Sequence, residues 1–194
     1  MTKRRIECVV IGSSAGGDSA LYAILPDLPA DLSVPIIIAQ HNLDNTLFAR
    51  LLRSKTSFPV EMAAEGRIVE VGCPHVYVVG SDCRTRLSGR PGSQVIFVTD
   101  PVPDKKMVLP NIDEVMRSAA ASFGPALLGV VLTGMEDDGA QGIRAIHFAV
   151  GLTMVQDPAD AEFKGMPSAA LRTGVIDFVV PLSRIAATIN RLTI

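Results

Sequence analysis

The sequence predicts an α/β fold: a doubly wound, mostly parallel sheet with helices on both faces and an attached antiparallel β meander. Three observations lead there. Short, continuously apolar runs recur at 6–11, 35–40 (PIIIAQ), 127–133, Leu152–Gln156 and 176–180, as expected of strands buried on both faces. Segments with helical periodicity separate them, the arrangement that parallel crossovers require. The middle of the chain breaks the pattern with three short β-rich runs at 75–79, 83–87 and 94–98, divided by Gly, Ser, Asp and Pro, which reads as a meander.

Taken in order, the first strand runs into a glycine-rich turn and a helix at about 17–25. The second is followed by a helix at about 46–55. After the meander, 99–110 holds three prolines and reads as a surface loop, leading to a helix over Ile112–Phe123. The strand at 127–133 precedes a helix from about 138 to 150, and the next strand precedes a shorter one near 167–173. The final strand and an amphipathic helix at 182–192 close the chain. At 194 residues this fits one domain spanning 1–194.

Composition removes several classes of function. The 18 Lys and Arg are scattered and outweighed by 20 Asp and Glu, so nothing marks a nucleic-acid surface. The apolar run after the basic start ends at Gly12, too short for a secretory core or a membrane span. No membrane insertion is expected. Cys8, Cys73 and Cys83 are odd in number and lack CxxC spacing, which suits reduced thiols in a cytoplasmic protein and not a disulfide frame or a metal site.

The first loop, Gly12-Ser13-Ser14-Ala15-Gly16-Gly17-Asp18-Ser19, admits several readings. Its glycines miss the GxGxxG spacing of a dinucleotide-binding loop. Gly12 and Gly17 have P-loop spacing, but Asp18 stands where the phosphate-binding lysine belongs, and its charge would repel phosphate. Gly12, Ser14 and Gly16 satisfy G-x-S-x-G, a nucleophile elbow in which small neighbours let the serine project. Against that stands the plain alternative of a tight strand-to-helix connection. Ser13 is a rival nucleophile by adjacency.

Among the three histidines, His41 follows the second strand directly, at the carboxyl edge where open α/β sheets place their sites. His75 starts a meander strand and His147 lies within a helix, so structural roles are the expectation for both. The run Gly134-Met135-Glu136-Asp137-Asp138-Gly139 follows another buried strand. Its acids could cap the next helix, yet Ser14, His41 and Asp138 on three loops of one edge make a candidate catalytic triad. The chain order Ser, His, Asp differs from the Ser, Asp, His of α/β-hydrolases.

These segments carry a resemblance. Residues 11–17 (IGSSAGG), Gln40-His41, His75-Val76-Tyr77, Leu132-Thr133-Gly134-Met135 through Asp138-Gly139-Ala140, and Gly165-Met166-Pro167 resemble the catalytic domain of the chemotaxis protein-glutamate methylesterase (CheB) family over nearly the whole chain. The resemblance implies Ser14 as nucleophile, His41 as base, Asp138 as the orienting carboxylate, and the backbone N–H of Met135 in the oxyanion site. Ala15, next to the serine, is the second expected oxyanion donor. The implied reaction is hydrolysis of γ-glutamyl methyl esters on methyl-accepting chemoreceptors or another methylated protein, with deamidation of receptor glutamines as a related activity. It needs no metal or organic cofactor.

The departures from the family pattern fall around the triad. The family's N-terminal receiver domain is not expected here, since the first strand begins close to Met1. The family's Thr after the nucleophile is Ala15, the loop after His41 reads Asn42-Leu43-Asp44-Asn45-Thr46 in place of a Met-Pro-Pro-Gly-Phe type, and Leu109-Pro110-Asn111 stands for Arg-Pro-Ser. A histidine common in the family is replaced near Asp82, with Arg84 close by. Two alternatives follow: a serine esterase or amidase for another protein or small ester, and a non-catalytic signalling scaffold.

Overall fold

The computed structural model describes residues 5–42, 44–102 and 108–194. The basic start at 1–4, Leu43 in the loop after His41, and the centre of the proline-rich loop at 103–107 lie outside the described residues. The strands are β1 Cys8–Ser13, β2 Ile36–Gln40, β3 Val60–Met62, β4 Val76–Val78, β5 Cys83–Ser88, β6 Ile96–Pro101, β7 Leu127–Val131, β8 Leu152–Gln156 and β9 Phe178–Val180. The helices are α1 Gly17–Ile24, α2 Asn45–Leu52, α3 Ile112–Phe123, α4 Ala140–Phe148, α5 Gly165–Arg172 and α6 Leu182–Thr193. None is long and apolar enough to cross a membrane among the described residues.

Seven strands form one sheet in the order β3-β4-β2-β1-β7-β8-β9, every neighbouring pair parallel. Side chains alternate between two cores, as strand geometry demands. Val9, Ile11, Ile36, Ile38, Leu128, Val130 and Met154 pack on one face with residues of α1, α2 and α6. Cys8, Val10, Ile37, Ala39, Leu127, Val131 and Val155 pack on the other with α3, α4 and α5. The doubly wound parallel sheet is therefore present as expected.

The middle of the chain departs from the expectation in one respect. The run at 75–79 does not join a meander. Its strand β4 is buried throughout and pairs in parallel with both β2 and β3. Val76-Tyr77-Val78 has no polar face to give to solvent, and an interior position is what such a run needs. Among the described residues, antiparallel pairing consists of the hairpin β5–β6 and an isolated bridge of Ile68 to Ile96. Leu87, Val95 and Phe97 seat this region in the same core as α3, the Leu87 N–H donates to Ser118 Oγ on α3, and Arg84 meets Glu114 through two nitrogens. The short edge strand β3 carries no signal in the sequence. It is only three residues long and its central Glu61 pairs with Arg67 and His75, a charged edge of the kind that resists further strand pairing.

The topology fixes where a site can form. From β1 the chain builds outward through β2, then returns to add β7 on the opposite side. The helix after β1 covers one face, and the helix after β7 covers the other. Their loops part at the carboxyl edge and leave a crevice, the topological switch point. Gly12, near the end of β1, lets α3 approach: a Cβ there would run into Ile112 Cγ2 and reach within 3.0 Å of Met116 Cε. Gly12→Val is accordingly expected to lower the stability to urea by about 1–3 kcal/mol through overpacking. Wild-type stability in that variant would contradict the close approach.

Candidate active site

The three loops at the switch point bring Ser14, His41 and Asp138 together. Ser14 directly follows β1. Its N–H donates to Thr133 O at 3.0 Å and its carbonyl accepts the Gly17 N–H at 2.8 Å. The residue with positive φ in this turn is Gly16 (φ 75), which caps α1; among the described residues the non-glycines with positive φ are Glu136 and Val150. Ser14 itself therefore stays outside the left-handed region. Gly16 supplies the left-handed turn at no steric cost, so the serine is presented by a relaxed backbone. Ser13, the rival, is fully buried and donates its hydroxyl to Gln40 Oε1. Ser14 is the one of the pair that lines the cavities.

His41 follows β2, and its N–H donates to Ser13 O at 3.1 Å. Its ring bridges the other two side chains, with Nδ1 3.2 Å from Ser14 Oγ and Nε2 3.0 Å from Asp138 Oδ2. An ionised carboxylate can only accept, so Nε2 carries the hydrogen and Nδ1 presents its lone pair to the serine. The two nitrogens thus exchange the roles they hold in the chymotrypsin arrangement.

The helix after β7 is expected from about 138, with capping by Asp138 as the alternative to its triad role. That helix starts at Ala140, and its N-cap is Gly139, with no side-chain cap. The carboxylate turns instead to the N-terminus of α3, where Oδ2 accepts from the Ile112 N–H and Oδ1 from the Asp113 N–H, each at 2.9 Å. The Gly139 N–H adds a third bond at 2.9 Å. Burial pushes the Asp138 carboxyl up, but the bonds from His41, Ile112 and Asp113 outweigh it and hold the group below its ordinary value. Neighbouring Asp113 moves the other way, raised by burial, with the Asp138 charge adding to it. Asp113 accepts the Gly142 N–H at 2.7 Å and so ties α3 to α4.

A cavity of about 620 Å³ opens over these groups, lined by Ser14, His41, Val108, Asn111, Asp113 and residues 135–138. A second cavity, of about 440 Å³, shares Ser14 and His41 and is lined also by Ala15, Asp18, Asn42 and Glu162. Of the two expected oxyanion donors, Met135 lines the first cavity and Ala15 the second, and both cavities include Ser14. Neither backbone N–H donates to a protein acceptor among the described residues. Gly134 sits tightly beside the serine, since a Cβ on it would meet Met166 Sδ and lie 2.9 Å from Ser14 Cβ. Gly165 packs its bare Cα against the backbone of Met135 and Glu136, where Glu136 takes the uncommon left-handed conformation (φ 62). Among the described residues no group of three His, Cys, Asp or Glu is arranged to hold a metal ion.

His75 is buried at the start of β4, at the sheet's opposite edge, stacked on Tyr77 and facing Glu61, and His147 is exposed near the end of α4. Neither approaches Ser14. Sequence reasoning left Gln40, Thr133 and Gln156 without roles. Thr133 Oγ1 donates to Ala15 O and accepts the Phe163 N–H, and the Thr133 N–H donates to Gln156 Oε1. The available signal was that two buried strands, β2 and β8, each end in glutamine; a buried amide must find partners.

Fold and site together define a doubly wound α/β domain presenting a Ser–His–Asp constellation at its switch point. Residues 9–189 match the family model CheB methylesterase, and the chain belongs to that family. It is 39% identical over 183 residues to the protein-glutamate methylesterase/protein-glutamine glutaminase of Pyrococcus horikoshii, covering 93% of this chain and 49% of the relative. It is 36% identical over 189 residues to the similarly named protein of the group 3 operon of Rhizobium meliloti, covering 96% and 52%. The chain thus spans about half the length of these curated relatives. The crystal structure of the Thermotoga maritima CheB methylesterase catalytic domain superposes with a TM-score of 0.88 at 30% identity, covering 96% of this chain and 98% of that one.

The depressed Asp138 carboxyl gives a signed expectation. A folded-state value below the ordinary 3.8 means a stabilisation fully present above that pH and lost as the pH falls through the lower folded value. Asp138→Asn is expected to cost about 1–3 kcal/mol near neutrality, with the gap from wild type closing as the pH drops below 3.8. Urea melts across pH would check it, and a gap independent of pH would contradict the helix-held anion.

Proposed function

We propose that Ser14, His41 and Asp138 are the catalytic triad of a protein-glutamate methylesterase. Its substrates are γ-glutamyl methyl esters of methyl-accepting chemoreceptors, and it also deamidates receptor glutamines, as the double name of its relatives suggests. The observation that supports this most is the continuous relay from Ser14 Oγ through His41 to Asp138 Oδ2, at 3.2 and 3.0 Å, opening into a cavity.

In this reading His41 Nδ1 takes the Ser14 proton as Oγ attacks the ester carbonyl. Asp138 stabilises the imidazolium and keeps the ring from turning. The tetrahedral oxyanion is held by the N–H groups of Met135 and Ala15, free dipoles that need no reorganisation when charge develops. Collapse expels methoxide, which takes the proton from Nδ1 and leaves as methanol. Water then gives its proton to Nδ1 and attacks the acyl-enzyme, releasing the glutamate side chain and restoring Ser14. With a glutamine substrate the same steps expel ammonia.

The reading is tested by methanol release from a methylated chemoreceptor fragment. Ser14→Ala and His41→Ala are each expected to lower kcat by about 10³-fold or more with the fold retained by circular dichroism. Near-wild-type release by either variant would overturn the triad. Release from wild type only with a different ester would favour an esterase of other specificity, to which the altered residues around His41 and Asn111 could be suited.

A further inference from the structure

We propose that Gln40 is a positioning residue for the Ser14–His41 pair; this rests on the reading of those two as nucleophile and base. Gln40 ends β2 and is 3% exposed. It lies directly across from Ser13 in the parallel register, so its side chain sits between the loops that carry the serine and the histidine. All of the amide's polar capacity that the loops can reach is used. Nε2 donates to Ser14 O at 2.8 Å and to His41 O at 3.0 Å, and Oε1 accepts the Ser13 hydroxyl. Those partners set the orientation of the amide, because two carbonyls can face only the nitrogen. Gly17 closes the remaining side, since a Cβ there would overlap Oε1 and lie 2.8 Å from Ser13 Oγ.

A single amide therefore fixes the peptide planes that leave both Ser14 and His41. With the preceding planes held by the Ser14 N–H to Thr133 O and the His41 N–H to Ser13 O, the direction of each Cα–Cβ bond follows, and with it the approach of Oγ to Nδ1. That approach, at 3.2 Å, is at the long end of hydrogen-bond reach, so a displacement of under an ångström decides whether the proton can transfer. An apolar side chain of equal size would fill the space. It would leave three bonds unmade and the two loops free to drift apart.

The experiment compares Gln40→Met, Gln40→Glu and Ser13→Ala with wild type, using p-nitrophenyl acetate turnover, thermal melts and a crystal structure of Gln40→Met. The expected result for Gln40→Met is a fall in kcat of about 10–100-fold with KM changed by less than about 2-fold. Gln40→Glu is expected to lose at least as much, because an ionised carboxyl can only accept and would repel the Ser14 and His41 carbonyls that the amide nitrogen holds. Ser13→Ala, the gentler change should Gln40→Met not fold, is expected to lower kcat by less, and to cost nothing further when added to Gln40→Met.

A folded Gln40→Met protein with wild-type kcat overturns the proposal, even if it melts lower. So does a Ser13→Ala loss that adds in full to that of Gln40→Met in the double variant. The crystal structure stands apart from turnover: the Ser14 Oγ to His41 Nδ1 separation is expected to lengthen beyond hydrogen-bond reach, and an unchanged separation contradicts the role. Turnover that survives Ser14→Ala, by contrast, would sink the triad reading while leaving that structural comparison to judge Gln40.

Discussion

Parallel pairing of β1 with β2 on one side and β7 on the other is the constraint from which the site follows. Ser13 pairs with Gln40 and Gly12 with Val131, so three strands reach the same edge within a residue or two of each other. Ser14, His41 and the loop to Asp138 leave from those ends. No long segment has to fold over to assemble the constellation, and its spacing is inherited from the sheet. Because the helices that follow β1 and its neighbour β7 cover opposite faces, the loops diverge there, and the cavity over Ser14 occupies that gap.

Bringing polar groups to the end of a buried sheet costs free energy unless each finds a partner. The edge meets that requirement with a connected set of side-chain-to-backbone bonds. Gln40 holds the Ser14 and His41 carbonyls, Thr133 holds Ala15 and Phe163, and Gln156 holds Thr133. Asp138 satisfies N–H groups at the start of α3 that no helical carbonyl can reach. The carboxylate that orients the histidine is thus also a fixture of the fold, and the helix N-terminus favours its charge. Absent side chains matter as much as present ones. Gly12, Gly17 and Gly134 are where α3, Gln40 and Met166 come closest to the serine's loop.

Much of this was legible in the residues. Apolar runs bounded by turns marked every strand of the parallel sheet except β3, whose three residues are too few to show a period and include a charged Glu61. The run at 75–79 was visible as a strand, but its partners were not, since neighbours in a sheet are set by the returning chain and not by local pattern. The helix at Ile112–Phe123 was legible to the residue because Asn111 caps it and Gly124 follows it. Ser14, His41 and Asp138 could be found because each follows an apolar strand. The relaxed backbone at Ser14 could not, because G-x-S-x-G fits equally a turn whose left-handed residue is the second glycine. Nor could the partner of Asp138, since the acids after β7 read as caps for their own helix and the one that matters caps a helix 25 residues earlier in the chain.

The central claim is that geometry at the sheet edge makes Ser14 a nucleophile activated by His41 and Asp138. Covalent trapping tests it without knowledge of the natural substrate. The folded protein would be treated with a fluorophosphonate, and the adduct located by mass spectrometry of its peptides. One adduct is expected, on Ser14, its formation slowed at least about 10²-fold in His41→Ala. Labelling of Ser13 or Ser19 in its place, or equal labelling with and without the histidine, would contradict it.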